Sequence, residues 1–125
     1  MILSKPFVER RKDPRLNNNV PLKISGDTGE IVTESGNISR SGVYCKVNAY
    51  INPMTKLKIC LLLPIQRNGK NVIKKIVCRG VVVRSEPSID EGGYNIAIFF
   101  NDIAHKDAEY IADYVNFHLE KQKRL

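Results

Sequence analysis

The chain lacks the motifs that mark the common classes of enzyme. Its 125 residues contain only two histidines, His105 and His118, and these form no H-E-x-x-H pattern. There is no nucleophile elbow, no phosphate-binding loop and no dinucleotide-binding glycine pattern. The cysteines lack the C-x-x-C spacing of zinc and redox sites. We therefore expect no enzymatic activity, no metal and no cofactor.

Long apolar runs are also missing. The longest, Ile59 to Ile65, is interrupted by Pro64 and is far shorter than the ~20 residues that cross a bilayer. The few apolar residues before Glu9 do not resemble a secretory signal. An odd number of cysteines, far apart in strand-like segments, indicates reduced thiols: Cys45, Cys60 and Cys78. These absences predict a cytoplasmic protein that does not insert into membranes.

Charge is unevenly distributed along the chain. The formal net charge is +7, and the stretch from Lys56 to Arg84 holds eight Lys or Arg residues but no Asp or Glu. The stretch from Glu86 to Asp113 contains seven acidic residues and a single basic one, Lys106. A basic side of this kind favours an anionic partner. The same basic stretch has no aromatic residue to stack on bases, so a single-stranded nucleic acid is the weaker alternative, and we expect no DNA or RNA partner.

Apolar residues alternate with polar ones through most of the chain, which predicts short antiparallel strands in a barrel or sandwich. Typical stripes are Val43, Cys45 and Val47; Leu57, Ile59, Leu61 and Leu63; Ile76, Cys78 and Val82; and Tyr94, Ile96, Ile98 and Phe100. The last segment changes to a helical period, with one apolar face formed by Ala104, Ala108, Ile111, Val115 and Leu119. We predict a single domain over residues 1–125: a flexible arm (1–19), a β-barrel (20–101) and a carboxy-terminal helix and tail (102–125).

An arginine-rich R-x-x-x-R box precedes the first strand. It consists of Arg11 and Arg15, with Arg10 just before it, and Pro14 disfavours a helix at Asp13. Guanidinium groups can pair with guanine O6 and N7, hold a phosphate or stack on a base. Taken alone, the box is more typical of a solvated basic arm.

A second box, N-x-S-x-x-G, leads into a later strand and spans Asn37, Ser39 and Gly42. Asn and Ser side chains can close local turns, and glycine permits close backbone approach, so the box alone indicates a strand-connecting turn. The alternative is that the amide and the hydroxyl bind base edges or phosphate oxygens.

The two boxes together resemble the motif of the PilZ domain family, R-x-x-x-R followed by [D/N]-x-S-x-x-G. All five motif positions match: Arg11, Arg15, Asn37, Ser39 and Gly42. The resemblance extends through the strand-like segments 79–84 and 94–100 and covers roughly Glu9 to Leu119. One departure is Ala97, where many members have glycine.

The resemblance implies a mainly β fold, a six-stranded antiparallel β-barrel with a carboxy-terminal helix and a flexible amino-terminal arm. It also implies binding of the bacterial second messenger cyclic di-GMP, with the five motif residues forming the site. Family members with arginine before the box often bind a stacked dinucleotide dimer, which implies a stacking or second-ligand role for Arg10.

The expected function is therefore reception of cyclic di-GMP and its relay to an unidentified effector protein through ordering of the amino-terminal arm. Because the chain shows no output domain, we expect that effector to control motility, attachment or exopolysaccharide production. The alternative is a PilZ-like adaptor that acts by protein contact without nucleotide.

Overall fold

Six antiparallel strands and one long helix make up the described part of the chain. The structure is a computed structural model and describes residues 13–27, 29–89 and 92–123. Its elements are β1 (Pro21–Gly26), β2 (Gly29–Ser39), β3 (Gly42–Val47), β4 (Lys56–Arg67), β5 (Lys70–Pro87), β6 (Tyr94–Asp102) and α1 (His105–Lys123). The strands close into a barrel in the order β1–β2–β3–β6–β5–β4. This confirms the predicted six-stranded barrel with a carboxy-terminal helix.

The alternating residues fill the interior of the barrel. On β4, Leu57, Ile59, Leu61 and Leu63 are at most 6% exposed. The residues between them face outward or lie at the surface, because successive side chains of a strand point to opposite sides. Among the cysteines, Cys45 and Cys78 are buried and Cys60 is half-buried, and all three are free thiols.

The β4–β5 hairpin turns through two residues with left-handed backbone. Asn68 has φ 55° and Gly69 has φ 77°, and Arg67 pairs directly with Lys70. Asn-Gly is the sequence that favours this two-residue turn, since both positions need positive φ. The turn fixes the register of the two longest strands.

The helix α1 packs against the barrel at β2 and β4. Ala108, Ile111 and Val115 of its predicted apolar face are buried, as is Tyr114, which the periodicity did not include. Ala104 is exposed because it lies at the start of the helix, where its carbonyl accepts the first helical hydrogen bond, from the Ala108 N–H at 3.0 Å. Within the described residues, no helix is long and apolar enough to span a bilayer.

Residues 16–20, just before β1, are attached to the barrel. Leu16 and Ile38 exchange two backbone hydrogen bonds, both 3.0 Å, and the Leu16 side chain is 1% exposed. Val20 is fully buried. The arm predicted for residues 1–19 is therefore anchored from Leu16 onward, because an apolar side chain there fits the core; residues 1–12 lie outside the described residues.

Candidate ligand-binding site

A buried serine clamps the segment that carries Arg15. Ser35 on β2 accepts a hydrogen bond from the Val20 N–H at 2.9 Å and donates one to the Asn18 carbonyl. Its own N–H donates to the Val20 carbonyl at 3.0 Å. Together with the Leu16 pairing, this clamp sets where Arg15 leaves the barrel surface.

Four of the predicted site residues line one cavity of about 160 Å³ on the outside of the barrel: Arg15, Asn37, Ser39 and Gly42. Arg15 comes from the anchored segment and the other three come from the β2–β3 hairpin. The remaining two predicted residues, Arg10 and Arg11, lie outside the described residues. The structure therefore brings together residues that are up to 27 positions apart in sequence.

The floor of the cavity is a row of side chains across four neighbouring strands. Asn37 on β2 pairs with Tyr44 on β3, and Tyr44 pairs with Ala97 on β6. Ala97 in turn pairs with Arg84 on β5. All four residues line the cavity. Going from β2 to β5, the floor of the cavity therefore presents an amide, a half-buried aromatic ring, a methyl group and a guanidinium group.

The two polar side chains of the N-x-S-x-x-G box have different roles. The hydroxyl of Ser39, a buried residue, accepts a hydrogen bond from the Ser41 N–H at 3.2 Å and contacts the Ser41 hydroxyl at 3.1 Å. This is the local turn expected of the box taken alone. The side-chain amide of Asn37 makes no hydrogen bond to another described residue, so it is available to a ligand.

Gly42 is required by close packing of the backbone. A Cβ atom built at this position would lie 2.3 Å from the carbonyl oxygen of Ile98 on β6. Gly42 pairs with Phe99 at the start of the β3–β6 ladder. Any side chain would push the two strands apart, so glycine here holds the site's floor together whether or not a ligand is bound.

The cavity is electropositive. Two exposed arginines, Arg15 and Arg84, line it, and the lining residues within the described ranges include no Asp or Glu. Arg40 in the β2–β3 turn, which lies between Ser39 and Ser41 in the sequence, is paired instead with Glu109 of α1 at 3.2 Å. Among the described residues, neither guanidinium group has an ion-pair partner and the Asn37 amide has no hydrogen bond, so the site is suited to an anion with hydrogen-bonding edges.

Arg84 could not be predicted as a site residue from the sequence pattern because a β-bulge precedes it. Strict alternation from Ile76, Cys78 and Val82 would point Arg84 into the barrel. The β5–β6 register shifts between Val82 and Arg84, and such a bulge changes the side to which the following residues point. Arg84 is therefore exposed at the cavity. The sequence analysis also missed Ser41, an unspecified position inside the N-x-S-x-x-G box, and Tyr44, two residues after it.

A second, larger cavity of about 820 Å³ lies between α1 and the end of β4. Its walls include Tyr110, Tyr114, Phe117 and His118 but none of the predicted site residues. Burial and then the nearby Lys121 lower the pKa of His118. Among the described residues there is no group of three or more His, Cys, Asp or Glu side chains placed to hold a metal ion.

Comparison with known families identifies the fold that carries this cavity. The family model for the PilZ domain matches residues 9–117. The chain belongs to the PilZ domain family. Both motif boxes lie inside the matched range, and the four motif residues that the structure describes meet at the cavity. No curated protein matches this PilZ domain in sequence.

Solved structures of other PilZ proteins share the fold. The inhibitor of motility MotI/DgrA of Bacillus subtilis is 21% identical with a TM-score of 0.80, and the match covers 93% of this chain and 54% of that one. The present chain thus spans about half the length of the MotI structure.

Two further PilZ structures match over most of their own length. The PilZ domain of YcgR from Escherichia coli, solved with cyclic di-GMP, is 11% identical with a TM-score of 0.61, covering 92% of this chain and 95% of that one. The PilZ domain of CeSA from a cellulose-synthesising bacterium is 18% identical with a TM-score of 0.53, covering 85% and 97%. At these identities the likeness concerns the fold.

Proposed function

We propose that this PilZ domain is a receptor for cyclic di-GMP. The observation that carries the proposal is the convergence of Arg15, Asn37, Ser39 and Gly42 on one electropositive cavity. The family membership supports it, as does the related YcgR domain, whose structure contains cyclic di-GMP.

The chemistry of the cavity suits the two kinds of group that cyclic di-GMP presents. Arg15 can pair bidentately with guanine O6 and N7 or with a phosphate. Arg84 lies at the other end of the floor row and can neutralise a second charge. The Asn37 amide can both donate to and accept from a base edge. Tyr44 supplies an aromatic surface between them.

The size of the cavity limits how the ligand lies. At about 160 Å³ it is smaller than the ~300–1,000 Å³ of typical small-molecule pockets. We therefore expect one base or phosphate inside it and the rest of the dinucleotide across the outer surface. That placement leaves room for Arg11 to grip the exposed part and for Arg10 to stack on a base or on a second ligand.

We propose that the signal passes through the residues before Leu16 to an effector protein. Leu16 and Ser35 fix the chain just after Arg15, so a ligand held by Arg15 and Arg11 bridges the fixed barrel and the segment that precedes it. Binding would set the position of that segment over the barrel and change the surface offered to a partner. Hydrogen exchange of residues 1–15 with and without ligand tests this step.

Isothermal titration with cyclic di-GMP tests the site. Arg15→Ala is expected to weaken the free energy of cyclic di-GMP binding by ~1–3 kcal/mol, the range for a good bidentate guanine contact. This corresponds to a Kd that is roughly 5- to 150-fold higher. Arg79→Ala is the matched control, because Arg79 is an exposed arginine on β5 that does not line the cavity.

Two results would contradict the proposal in different ways. Equal affinity of wild type and Arg15→Ala would place the ligand elsewhere on the domain. A folded wild-type protein that gives no heat and no thermal shift with cyclic di-GMP would instead favour the adaptor that acts without nucleotide.

A further inference from the structure

The β4–β5 hairpin extends beyond the strands that lie beside it in the barrel. β4 and β5 pair continuously up to Arg67 and Lys70, which flank the turn. β1 pairs with β4 only as far as Leu61, and β6 pairs with β5 only from Arg79 onward. Residues 62–67 and 70–78 therefore form a two-stranded ribbon, and no other described strand pairs with its outer edges.

The turn determines which backbone groups of β5 point away from β4. In a two-residue hairpin the flanking residues, here Arg67 and Lys70, exchange both backbone hydrogen bonds. Every second pair from there does the same, and the residues in between direct their N–H and C=O groups to the opposite side. In the ribbon, the β5 residues of this second kind are Asn71, Ile73, Lys75 and Val77. We call the backbone of these residues the β5 edge.

The β5 edge is open to a partner. Ile73 is 62% exposed and Val77 is 45% exposed, and Lys75 between them is exposed as well. Within the described part of the chain, no backbone hydrogen bond outside the strand ladders involves this edge. A row of donors and acceptors about 20 Å long, at ~3.4 Å per residue, is therefore available to an added strand.

The other edge of the ribbon is blocked, in contrast to the β5 edge. Pro64 lies on the open side of β4, opposite Ile73, and proline has no N–H to donate to a further strand. The β5 edge contains no proline. Its protection is by charge, because antiparallel pairing of two copies of this edge would bring Lys74 and Lys75 of one copy near those of the other. The same lysines attract a strand that carries carboxylates.

The charge around the β5 edge is positive. The stretch from Lys56 to Arg84 contains no Asp or Glu, and Lys75 forms no ion pair with another described residue. Asp102 lies opposite Arg79 at the point where β6 joins β5, so an acidic group stands only at the barrel end of the edge. The edge therefore favours carboxylates at its middle, beside Lys74 and Lys75.

We propose that the β5 edge binds an extended acidic segment of a partner protein, which adds to the ribbon as an antiparallel strand. Residues directly opposite each other lie on the same face of a sheet. The segment should therefore carry apolar residues opposite Ile73 and Val77 and a carboxylate opposite Lys75. A second carboxylate faces Lys74 on the other side of the ribbon. The ligand cavity shares no residue with the edge, so this binding does not require the proposed nucleotide site.

The regular spacing of the edge favours a peptide over a nucleic acid or a lipid surface. Backbone donors and acceptors that repeat along a strand are matched by another strand, whereas phosphate groups offer acceptors only. Ile73 and Val77 alternate with Lys75 on one face, which matches the period of two of an added strand. Residues 70–78 include no aromatic side chain to stack on a base.

Titration of the isotope-labelled protein with a short peptide tests the proposal through its amide chemical shifts. The probe is Thr-Val-Thr-Glu-Glu-Val-Thr with blocked ends. Its first valine is designed to face Val77, its first glutamate Lys75, its second glutamate Lys74 and its second valine Ile73. Because the contact is small, we expect a Kd on the order of 100 µM.

Hydrogen exchange identifies strand addition directly. With the peptide bound, exchange of the Ile73, Lys75 and Val77 amides should slow, because these N–H groups gain a partner. The amides of Val72 and Lys74 already bond to β4 and should change little.

Methylation of the peptide backbone separates strand addition from simple attraction between charges. The N–H of the first glutamate points toward β5, and the N–H of the second points away from it. N-methylation of the first glutamate should weaken binding by about tenfold or more, because it removes a hydrogen bond and places a methyl group against the edge. N-methylation of the second, with the same side chains, should change the Kd by less than about threefold.

A charge exchange tests the predicted pairing of Lys75. Lys75→Glu should weaken binding by about tenfold or more, and replacing the first glutamate of the peptide by lysine should return the Kd to within about threefold of the original pair. Lys56→Glu is the matched control, because Lys56 is an exposed lysine of β4 that lies opposite Val81, away from the edge. Thermal melting of each variant verifies folding.

Three results would overturn the proposal. The first is a wild-type protein whose amides do not shift at ~2 mM peptide. The second is equal affinity for the two methylated peptides, which would indicate charge attraction without strand addition. The third is protection of the edge amides that rises with protein concentration in the absence of peptide, which would indicate pairing between two copies of the chain.

Discussion

Replacing Gly42 by alanine tests whether this motif residue acts through packing. The added Cβ would lie 2.3 Å from the Ile98 carbonyl oxygen and 3.5 Å from the Phe99 Cα. The close atom belongs to the backbone of β6 and cannot rotate away as a side chain would. The β3–β6 ladder must therefore separate at the point where it begins.

The expected cost follows from the kind of clash. Overpacking in a filled site typically lowers the free energy of unfolding by ~1–3 kcal/mol. Because the clashing atom is a backbone oxygen that cannot move away, we expect Gly42→Ala to lower it by about 3 kcal/mol. In a domain of this size each kcal/mol lowers the melting temperature by about 3–5 °C. We expect a loss of roughly 10–15 °C, measured by circular dichroism and checked by urea unfolding.

Gly36→Ala is the matched control on the same hairpin. A Cβ there would lie 3.5 Å from the Tyr44 carbonyl oxygen, an ordinary contact. Because alanine also reduces the freedom of the unfolded chain, its effect should be within about 1 kcal/mol. If Gly42→Ala melts within a degree or two of wild type, the steric argument is wrong, and a loss of ligand affinity in that variant would then report a direct contact.

Three further predictions concern the cavity, the clamp and the thiols. Arg84→Ala should weaken cyclic di-GMP binding by roughly 5- to 150-fold in titration without changing the melting temperature; an unchanged Kd would remove Arg84 from the site. Ser35→Ala leaves the buried Val20 N–H and the part-buried Asn18 carbonyl without their side-chain partner. The free energy of unfolding, measured with urea, should fall by ~1–3 kcal/mol; an unaltered midpoint would show that these hydrogen bonds do not stabilise the segment. Burial raises the pKa of Cys45 and Cys78 to about 12, which leaves about one thiol in ten thousand ionised at pH 8. Ellman's reagent should therefore modify Cys60 first in the native protein and all three thiols after denaturation; two rapid equivalents would contradict this.

The strands and the helix could be predicted from periodicity because each depends mainly on local side-chain pattern. The stripe Leu57, Ile59, Leu61 and Leu63 is the buried side of β4, and Asn68-Gly69 forms the two-residue turn that this dipeptide favours. The strand order could not be obtained this way, since alternation gives which side of a strand is buried but not which strand lies beside it. The PilZ resemblance implied a six-stranded barrel, but the structure alone shows that it closes by pairing β1 with β4.

The motif residues Arg15, Asn37, Ser39 and Gly42 could be identified from the sequence alone. They belong to two boxes that are recognised by residue type and spacing along the chain. Tertiary structure decided which other residues join them. A bulge turned Arg84 outward against the local alternation, and cross-strand pairing set Tyr44 and Ala97 between Arg84 and Asn37. It also showed that Leu16 is a core residue rather than part of a free arm. The reason is physical: a strand's own pattern sets its buried side, whereas bulges, register and neighbours depend on residues far away in the chain.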